Sequence, residues 1–346
     1  MLHPRLRLVM NTSDLIKSGL KVCSAKYLNM RIPVFLILEL TYRCNLRCAY
    51  CRRWSAAASD EMDTKTVLRI ISEGKRLGLL RVYLTGGEVF LREDLGCILS
   101  SCKNMGLMTE VWTNASLLDE NQSTLKHIDC LAMSLDGPEP VHDEQRQKGS
   151  FVRTVRAAEL ARKAGIHISF NFTLTSGNLN SFAAAVKIAS DLKATIGLQP
   201  VAELAGGLKD LNKLMPSEEE FKKALNEAIS LKKRYPLIIE NSFRHLNYLK
   251  SWPKAGAWSC LHGRAIFTVT PSGHLVACTN SPVYYPEPID LASYSLRDAV
   301  KEIHDFPCRG CYCYGAYDAS GAGSLLPVSP EVFKFHVMRK WRKLRS

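Results

Sequence analysis

Short apolar runs alternate with longer amphipathic stretches from Pro33 to about Val201. The runs are rich in β-branched and aromatic residues and are bounded by turn-forming residues, which is the pattern of buried β-strands. They predict six strands, at residues 33–40, 81–86, 108–114, 130–137, 167–175 and 194–201.

Helical patterns occupy several of the connections between these runs, at residues 64–78, 93–106 and 151–165, and the last two end near a glycine that suits a helix C-terminus. Parallel strands need a crossover of helical length, so the alternation predicts parallel β/α units. Right-handed crossovers then give an open doubly wound sheet or a full or partial barrel.

A further amphipathic helix is predicted at 216–233, with its N-cap at Ser217 and Glu220 three residues on. After it the alternation of strand and helix patterns stops. Two short runs at 265–270 and 273–279, separated by Pro271 and Ser272, predict a hairpin. The predicted organisation is a basic N-terminal extension at 1–31, a β/α region at 32–235, a small cysteine-rich domain at 236–322 and a basic amphipathic helix at 323–346.

The net charge of +13 over 346 residues is unevenly placed. Residues 1–31 and 331–346 each carry six basic side chains and one acidic, which leaves only +3 for the rest of the chain. The charge therefore predicts an anionic surface met by the ends rather than a nucleic-acid partner. No signal peptide or membrane-length apolar run is recognisable, and a cytoplasmic location is expected.

Twelve cysteines in such a chain indicate metal ligands or catalytic groups rather than disulfides. Cys44, Cys48 and Cys51 follow the first predicted strand at x3 and x2 spacing. Three thiolates on one loop can bind a 4Fe–4S cluster and leave one iron open. A zinc ion is the alternative, although it needs a fourth protein ligand.

The string TYRCNLRCAYC resembles the signature of the radical S-adenosylmethionine (SAM) superfamily, CxxxCxxC with an aromatic residue before the last cysteine, here Tyr50. The resemblance implies a partial (β/α)6 barrel that binds SAM at the open iron of the 4Fe–4S cluster. It also implies a 5'-deoxyadenosyl radical that abstracts hydrogen from an unactivated carbon, and an external electron donor such as flavodoxin or ferredoxin.

Further matches to the superfamily stand at the ends of the later predicted strands, where β/α folds build their sites. Each segment alone also has a plain structural explanation, such as a turn or a solvated charge, and Ala115 stands where the family usually has glycine. Together the matches imply SAM contacts from Tyr50, Gly86, Gly87, Glu88, Asn114, Ser134, Arg146, Asn171 and Val201, with Asp136-Gly137 and Gln199-Pro200 in the same segments.

A second group of cysteines resembles the C-terminal extensions of the SPASM and twitch type. Twelve residues separate Cys260 from Gly273 and four separate Gly273 from Cys278, but the later part of the full SPASM pattern is missing. One auxiliary 4Fe–4S cluster is therefore expected, and a structural zinc ion is the alternative. The favoured ligands are Cys260, Cys278, Cys308 and Cys311, with Cys313 as a substitute for one of the last two.

Few other residues are candidates for chemistry. Cys97, Cys102 and Cys130 show no ligand spacing and are expected to be buried apolar side chains. Tyr284 and Tyr312 are weak catalytic candidates that could quench a substrate radical, with packing as the alternative.

The basic ends carry the expectation about the substrate. On residues 331–346 helical spacing places Phe333, Val337, Trp341 and Leu344 on one face among basic residues, which suits a helix at a membrane interface; packing on the barrel is the alternative. The expected substrate is therefore hydrophobic, a lipid or isoprenoid at an anionic membrane surface, undergoing C–C bond formation or a related modification. The protein is expected to be peripheral on the cytoplasmic face.

Two other functions stay open. One is a leader-independent peptide maturase, because only forty-three residues precede Cys44 and an extra leader-binding domain needs more. Another is a twitch-type dehydrogenase of a small polar metabolite. A non-enzymatic iron–sulfur scaffold would predict damage to the CxxxCxxC or Gly-Gly-Glu segments, and both are intact.

Overall fold

The computed structural model describes residues 12–55, 60–201, 211–254, 256, 258–278, 288–304 and 311–320. Within them, nine strands form one sheet in the order β6-β5-β4-β3-β2-β1-β7-β8-β9. The strands are β1 (Phe35–Thr41), β2 (Arg81–Gly86), β3 (Met108–Thr113), β4 (Cys130–Ser134), β5 (His167–Leu174), β6 (Thr195–Pro200), β7 (Ile266–Val269), β8 (His274–Val276) and β9 (Ile289–Asp290).

The first six strands are parallel and adjacent in chain order, with Phe35 opposite Arg81 and Arg81 opposite Met108. Each coincides with a predicted strand to within a few residues. This arrangement confirms the predicted α/β class with parallel β/α units. Because all six strands run the same way, their carboxyl ends meet at one edge.

The helices are α1 (Thr12–Tyr27), α2 (Thr64–Leu77), α3 (Leu95–Asn104), α4 (Glu139–Gln145), α5 (Ser150–Lys163), α6 (Phe182–Asp191), α7 (Leu211–Leu214), α8 (Glu218–Arg234), α9 (Phe243–Tyr248), α10 (Leu296–Glu302) and α11 (Tyr314–Ala319). The predicted capping box of α8 is present, with reciprocal hydrogen bonds between Ser217 and Glu220. At α2, the Asp63 side chain accepts a hydrogen bond from the Thr66 N–H, and Gly78 ends the helix in the left-handed conformation at φ 102°.

The two faces of the parallel sheet differ in character. Alternate residues of β1, namely Leu36, Leu38 and Leu40, belong to the main apolar core, which also contains buried residues of α2, α3, α5, α6 and α8. The opposite face carries buried polar side chains, such as Glu110 on β3 and Ser169 on β5. Since side chains alternate along a strand, the helices cover the apolar face and the polar side chains point to the inside of the curved sheet.

The sheet continues across the predicted boundary near residue 236. Ile239 bridges to Ile196 beside β6, and β7 pairs in parallel with β1. β7 and β8 form the predicted antiparallel hairpin around Pro271. The four-part division of the chain stays a prediction, and residues 323–346 lie outside the described residues.

The described part of α1 packs on the sheet through Val22 and Ala25, which join a small apolar cluster with Phe35 of β1 and Ile266 of β7. Leu20 is exposed. No helix among the described residues is long and apolar enough to cross a membrane. The residues predicted as an interfacial C-terminal helix, 331–346, are outside the described ranges.

Candidate radical SAM site

A cavity of about 180 Å³ lies at the carboxyl ends of the parallel strands. Its lining residues come from β2 to β6 or from the loops that follow β1, β2, β3 and α4. Among them are ten of the residues predicted from the sequence: Cys44, Cys48, Tyr50, Cys51, Gly86, Gly87, Asn114, Ser134, Arg146 and Asn171.

The three cysteines of the loop after β1 all line this cavity, and two of them meet N–H groups from other elements. The Asn114 side-chain amide donates to the Cys44 sulfur at 3.7 Å, and the Arg146 guanidinium donates to the Cys48 sulfur at 3.7 Å. Burial raises the pKa of both thiols, so a bound cation is needed to keep them ionised.

These residues fit a 4Fe–4S cluster in donor type, location and charge. Three thiols from one loop face one cavity, and Arg146 supplies positive charge next to Cys48. Within the described part of the chain, no three Cys, His, Asp or Glu side chains converge closely enough to form a metal site by themselves. The fit therefore rests on the shared cavity and the N–H donors.

Gly86 and Gly87 bring the end of β2 against the cysteine loop. A β-carbon at Gly86 would lie 2.1 Å from the Thr41 carbonyl oxygen, and one at Gly87 would lie 2.1 Å from the Arg43 carbonyl oxygen. Gly86 also has φ +137°, which side chains rarely allow. The Gly87 N–H donates to the Thr41 carbonyl oxygen at 2.7 Å, and the Glu88 N–H donates to the Arg43 carbonyl oxygen at 2.8 Å. The glycines are thus required for contact between two backbone segments, one of which carries the cysteines.

Glu88 differs from the expectation, because its side chain is fully buried and does not line the cavity. Its carboxylate accepts hydrogen bonds from the Thr113 hydroxyl at 2.8 Å, the Asn114 N–H at 2.8 Å and the Phe90 N–H at 3.1 Å. Burial raises its pKa to about 6 despite these donors. In this geometry Glu88 holds the end of β3, and with it Asn114, and its contact with SAM stays a prediction.

Asp136, Arg146 and Tyr50 form a hydrogen-bonded group at the wall of the cavity. The Arg146 Nε lies 2.6 Å from the Asp136 carboxylate, which also accepts from the Tyr50 hydroxyl at 2.8 Å and the Thr173 N–H at 3.1 Å. Arg146 also contacts the Tyr50 hydroxyl. Burial lowers the pKa of Arg146, but the nearby Asp136 carboxylate raises it, and the net shift is upward. Arg146 therefore carries a fixed positive charge at the cavity.

His142 supports this group from α4. Its Nδ1 accepts a hydrogen bond from the Asp136 N–H at 3.2 Å, which leaves the ring proton on Nε2. Burial, with a contribution from Arg146, lowers the pKa of His142 to about 4. The neutral imidazole therefore fixes the end of β4 without adding charge.

Inward-facing residues of β4, β5 and β6 complete the wall with Ser134, Asn171, Thr173 and Gln199. The Asn171 Oδ1 is buried and finds no hydrogen-bond donor in the described part of the chain. A buried acceptor of this kind suits a polar ligand. Val201 is buried and does not line the cavity; Gln199 does so in its place.

Sequence reasoning missed several lining residues. Trp112 lines the cavity, and its indole N–H donates to Glu110 at 2.7 Å, inside the curved sheet. Asp136 does not line the cavity but pairs with Arg146, and the sequence indicates it only as part of a segment. The alternation of β3 carried the signal for Trp112, since residues 110 and 112 share the face opposite the core residue Val111.

Three thiols of the second cysteine group lie near a fourth, that of Cys311. Cys260, Cys278 and Cys313 are all within electrostatic reach of Cys311 and, after burial, raise its pKa well above the ordinary value. His262 hydrogen-bonds to Cys278. Cys308, one of the favoured ligands, lies outside the described residues.

The remaining predictions have mixed outcomes. Cys102 and Cys130 are buried as expected, but Cys97 is exposed because it lies on the outer side of α3, so that prediction is wrong. Tyr312 is buried, 5.6 Å from Tyr248 between ring centroids, and is not among the residues that line the cavity. Tyr284 lies outside the described residues.

Known proteins resemble this chain over most of its length. The family described as the Radical SAM superfamily matches residues 38–187. The PqqA peptide cyclase of Rhizobium meliloti is 28% identical over 71% of this chain and 67% of its own length. The PqqA peptide cyclase of Granulibacter bethesdensis is 26% identical over 81% of this chain and 79% of its own length.

A solved structure shares the fold. Streptococcus suis SuiB, bound to its precursor peptide SuiA, has a TM-score of 0.65 and 18% identity, and the match covers 92% of this chain and 76% of SuiB. SuiB has also been solved with S-adenosylmethionine, with a TM-score of 0.66. The similarity confirms the partial barrel predicted from the sequence.

The expectation of a lipid or isoprenoid partner at a membrane is wrong. The similar enzymes are named for a peptide, PqqA, and SuiB was crystallised with a precursor peptide. The prediction depended on basic amphipathic ends, and such ends fit a packed or solvated helix equally well. SAM and one 4Fe–4S cluster are confirmed as predicted cofactors, since radical SAM domains bind both, and the auxiliary cluster stays a prediction. Residues 38–187 of this chain form a domain of the Radical SAM superfamily.

Proposed function

We propose that this radical SAM enzyme modifies a peptide, by abstracting hydrogen from an unactivated carbon of one of its residues. The observation that carries the proposal is the extent of the similarity to PqqA peptide cyclases. It covers 81% of the chain, whereas the radical SAM match covers only residues 38–187. The likeness therefore includes the region outside that domain, where a substrate class is distinguished from others with the same radical chemistry.

The cavity supplies the groups that the cofactors need. Cys44, Cys48 and Cys51 would hold the 4Fe–4S cluster, which would bind SAM and, once reduced by an external donor, supply the electron for its reductive cleavage. Asn114 and Arg146 donate N–H groups to two of the sulfurs, which orients the thiolates and offsets their charge.

The opposite wall of the cavity would bind the polar groups of SAM. Ser134, Asn171 and Gln199 present hydroxyl and amide groups from three adjacent strands. Arg146 presents a guanidinium whose direction is fixed by Asp136. Because these groups are held by the sheet, they need little rearrangement when a ligand enters.

Cys260, Cys278 and Cys311 are proposed as three ligands of one auxiliary 4Fe–4S cluster, with Cys308 or Cys313 as the fourth. The closeness of Cys260, Cys278 and Cys313 to Cys311 supports this assignment. Four protein thiolates leave no open iron, so this cluster would serve electron transfer or shape the pocket.

The first experiment counts iron and measures SAM cleavage. Anaerobically reconstituted protein should hold about eight irons, and the Cys48→Ser and Cys260→Ser variants about four each. With dithionite and SAM, wild type should release 5'-deoxyadenosine and Cys48→Ser should not. Cys102→Ser, at a buried cysteine of α3, is the control and should keep both properties.

The second experiment tests the peptide. Wild type is incubated with SAM, dithionite and a pool of peptides whose side chains are fully deuterated. Deuterium in the 5'-deoxyadenosine, with a matching mass change in one peptide, is the expected result. Release of 5'-deoxyadenosine without deuterium from any peptide would contradict the proposal and favour the small-metabolite dehydrogenase.

A further inference from the structure

The arginines around the cavity differ in whether their charge is already neutralised. Arg53 lines the cavity and lies 2.5 Å from the Glu39 carboxylate, and Arg146 lies 2.6 Å from Asp136. Both positive charges are therefore matched by buried carboxylates. An incoming anion would therefore gain little electrostatic attraction from Arg53 or Arg146, although their N–H groups that are not yet paired could still donate hydrogen bonds to it.

Arg47 and Arg52 lie on the same cysteine loop and have no acidic partner among the residues that the structure describes. Their guanidinium carbons are 4.5 Å and 5.7 Å from the ring centroid of Trp54. Trp54 itself lines the cavity. Two unmatched cations thus stand beside an aromatic ring at the edge of the candidate active site.

The Arg47 and Trp54 side chains are held by hydrogen bonds before any ligand binds, and Arg52 contacts the Trp54 ring. The Arg47 Nη1 donates to the Cys44 carbonyl oxygen at 2.6 Å and to the Leu46 carbonyl oxygen at 3.0 Å. The Trp54 indole N–H donates to the Cys51 carbonyl oxygen at 2.9 Å. Stacking on an indole stabilises a guanidinium and reduces the entropy that it loses on binding.

We infer that Arg47, Trp54 and Arg52 bind a carboxylate side chain of the substrate, so that the substrate is a peptide with an Asp or Glu close to the residue that reacts. Guanidinium groups suit a carboxylate because they offer paired N–H donors in one plane. The Trp54 ring offers an apolar surface for the adjacent methylene groups. This inference rests on the proposed peptide substrate and narrows it to an acidic one.

The test compares two synthetic peptides of about twelve residues with capped ends, one carrying Glu at several positions and the other Gln at the same positions. Capping removes the terminal carboxylate as a source of charge. Fluorescence anisotropy on the reconstituted full chain gives the ratio of the two dissociation constants. Wild type should bind the Glu peptide about tenfold more tightly, as one charge-assisted pair predicts.

The Arg47→Gln/Arg52→Gln variant should bring this ratio to about one. The control is Arg162→Gln/Lys163→Gln, which removes the same charge from exposed residues at the end of α5, at the opposite end of the strands from the cavity, and should keep the ratio. Arg47→Lys/Arg52→Lys should give an intermediate ratio, because charge is kept and the paired donors are lost.

A wild-type ratio near one, or an unchanged ratio in the Gln double variant, would overturn the inference, and the positive charge would then serve only the thiolates. Iron content is measured for each variant. If the double variant loses iron, the Arg47→Gln and Arg52→Gln single variants are measured instead. At least one of them must then lower the preference for the Glu peptide, or the inference fails. The binding ratio needs no turnover, so its failure is distinct from a failure to transfer deuterium from peptides.

Discussion

Asp136 and Arg146 form an ion pair at the wall of the cavity, with 2.6 Å between the carboxylate and Nε. The Asp136 side chain is fully buried and that of Arg146 is 8% exposed. Because the carboxylate fixes one side of the guanidinium, another N–H reaches the Cys48 sulfur. The pair therefore connects the strand end that carries polar ligand groups with the loop that carries the cysteines.

Asp136→Asn should disrupt both folding and SAM binding. The side chain keeps its shape but loses its charge, which leaves Arg146 as a buried cation with no matched anion. We expect the free energy of unfolding to fall by about 3 kcal/mol and SAM affinity to fall at least about tenfold. Urea unfolding and isothermal titration calorimetry measure the two effects.

Asp119→Asn is the control for that prediction. Asp119 pairs with Arg156 at 2.7 Å, but the two side chains are 40% and 66% exposed. An exposed pair contributes about 0–1 kcal/mol, and this one is not among the residues that line the cavity. Equal effects of the two substitutions would show that the Asp136 pair has no special role.

Sequence patterns predicted the parallel strands well because each is an apolar run whose period is set by burial. β2, for example, is found at the predicted residues 81–86. Side-chain direction at the strand ends was harder to predict. Glu88 and Val201 are expected at the ligand from the sequence, but the Glu88 carboxylate turns toward the end of β3. Val201 is buried and does not line the cavity. Local turn geometry decides such directions, and one sequence does not encode it as a periodic signal.

Gly87→Ala should prevent the cysteine loop from docking on β2. The added carbon would lie 2.1 Å from the Arg43 carbonyl oxygen and 2.7 Å from that of Tyr42. Both atoms belong to the backbone just before Cys44, so relief requires the loop to move. We expect the iron content of the first site to fall by more than half, as measured by iron analysis and by the absorbance of the cluster.

Gly256→Ala is the matched control, since an added carbon there meets nothing within 4 Å. It should leave iron content unchanged. If Gly87→Ala also retains full iron, the backbone contact between β2 and the cysteine loop is not needed for cluster binding.

Glu88 should make stability depend on pH in an unusual direction. Its pKa in the folded chain, about 6, is above the ordinary value of 4.5 because the carboxyl group is buried. Between these values the folded state binds more protons than the unfolded state, so the contribution of Glu88 is fully present below pH 4.5 and is lost as the pH rises through 6. The shift corresponds to about 2 kcal/mol.

Urea unfolding of wild type and Glu88→Gln from about pH 4 to pH 7 tests this, because only wild type has the titrating group. The free energy of unfolding of wild type minus that of Glu88→Gln should fall by about 2 kcal/mol as the pH rises across that range. Glu220→Gln is the control, since hydrogen bonds from Ser217 lower the pKa of Glu220 and its contribution is lost as the pH falls. A wild-type minus Glu88→Gln difference that does not vary with pH would contradict the prediction.

Asn171→Ala should separate ligand binding from folding. The Asn171 Oδ1 is buried at the cavity and accepts no hydrogen bond from the described residues, so its removal relieves an unpaired polar atom instead of breaking a contact. We expect the free energy of unfolding to change by less than about 1 kcal/mol while SAM affinity falls about tenfold.

Asn178→Ala provides the contrast, because the Asn178 side-chain amide donates to the Asp136 and Thr173 carbonyl oxygens and its own oxygen accepts from the Thr175 N–H. That variant should lower the free energy of unfolding by about 2 kcal/mol or more. Calorimetry and urea unfolding of both variants decide the matter: if Asn171→Ala destabilises the chain as much as Asn178→Ala and leaves SAM affinity unchanged, Asn171 is a structural residue.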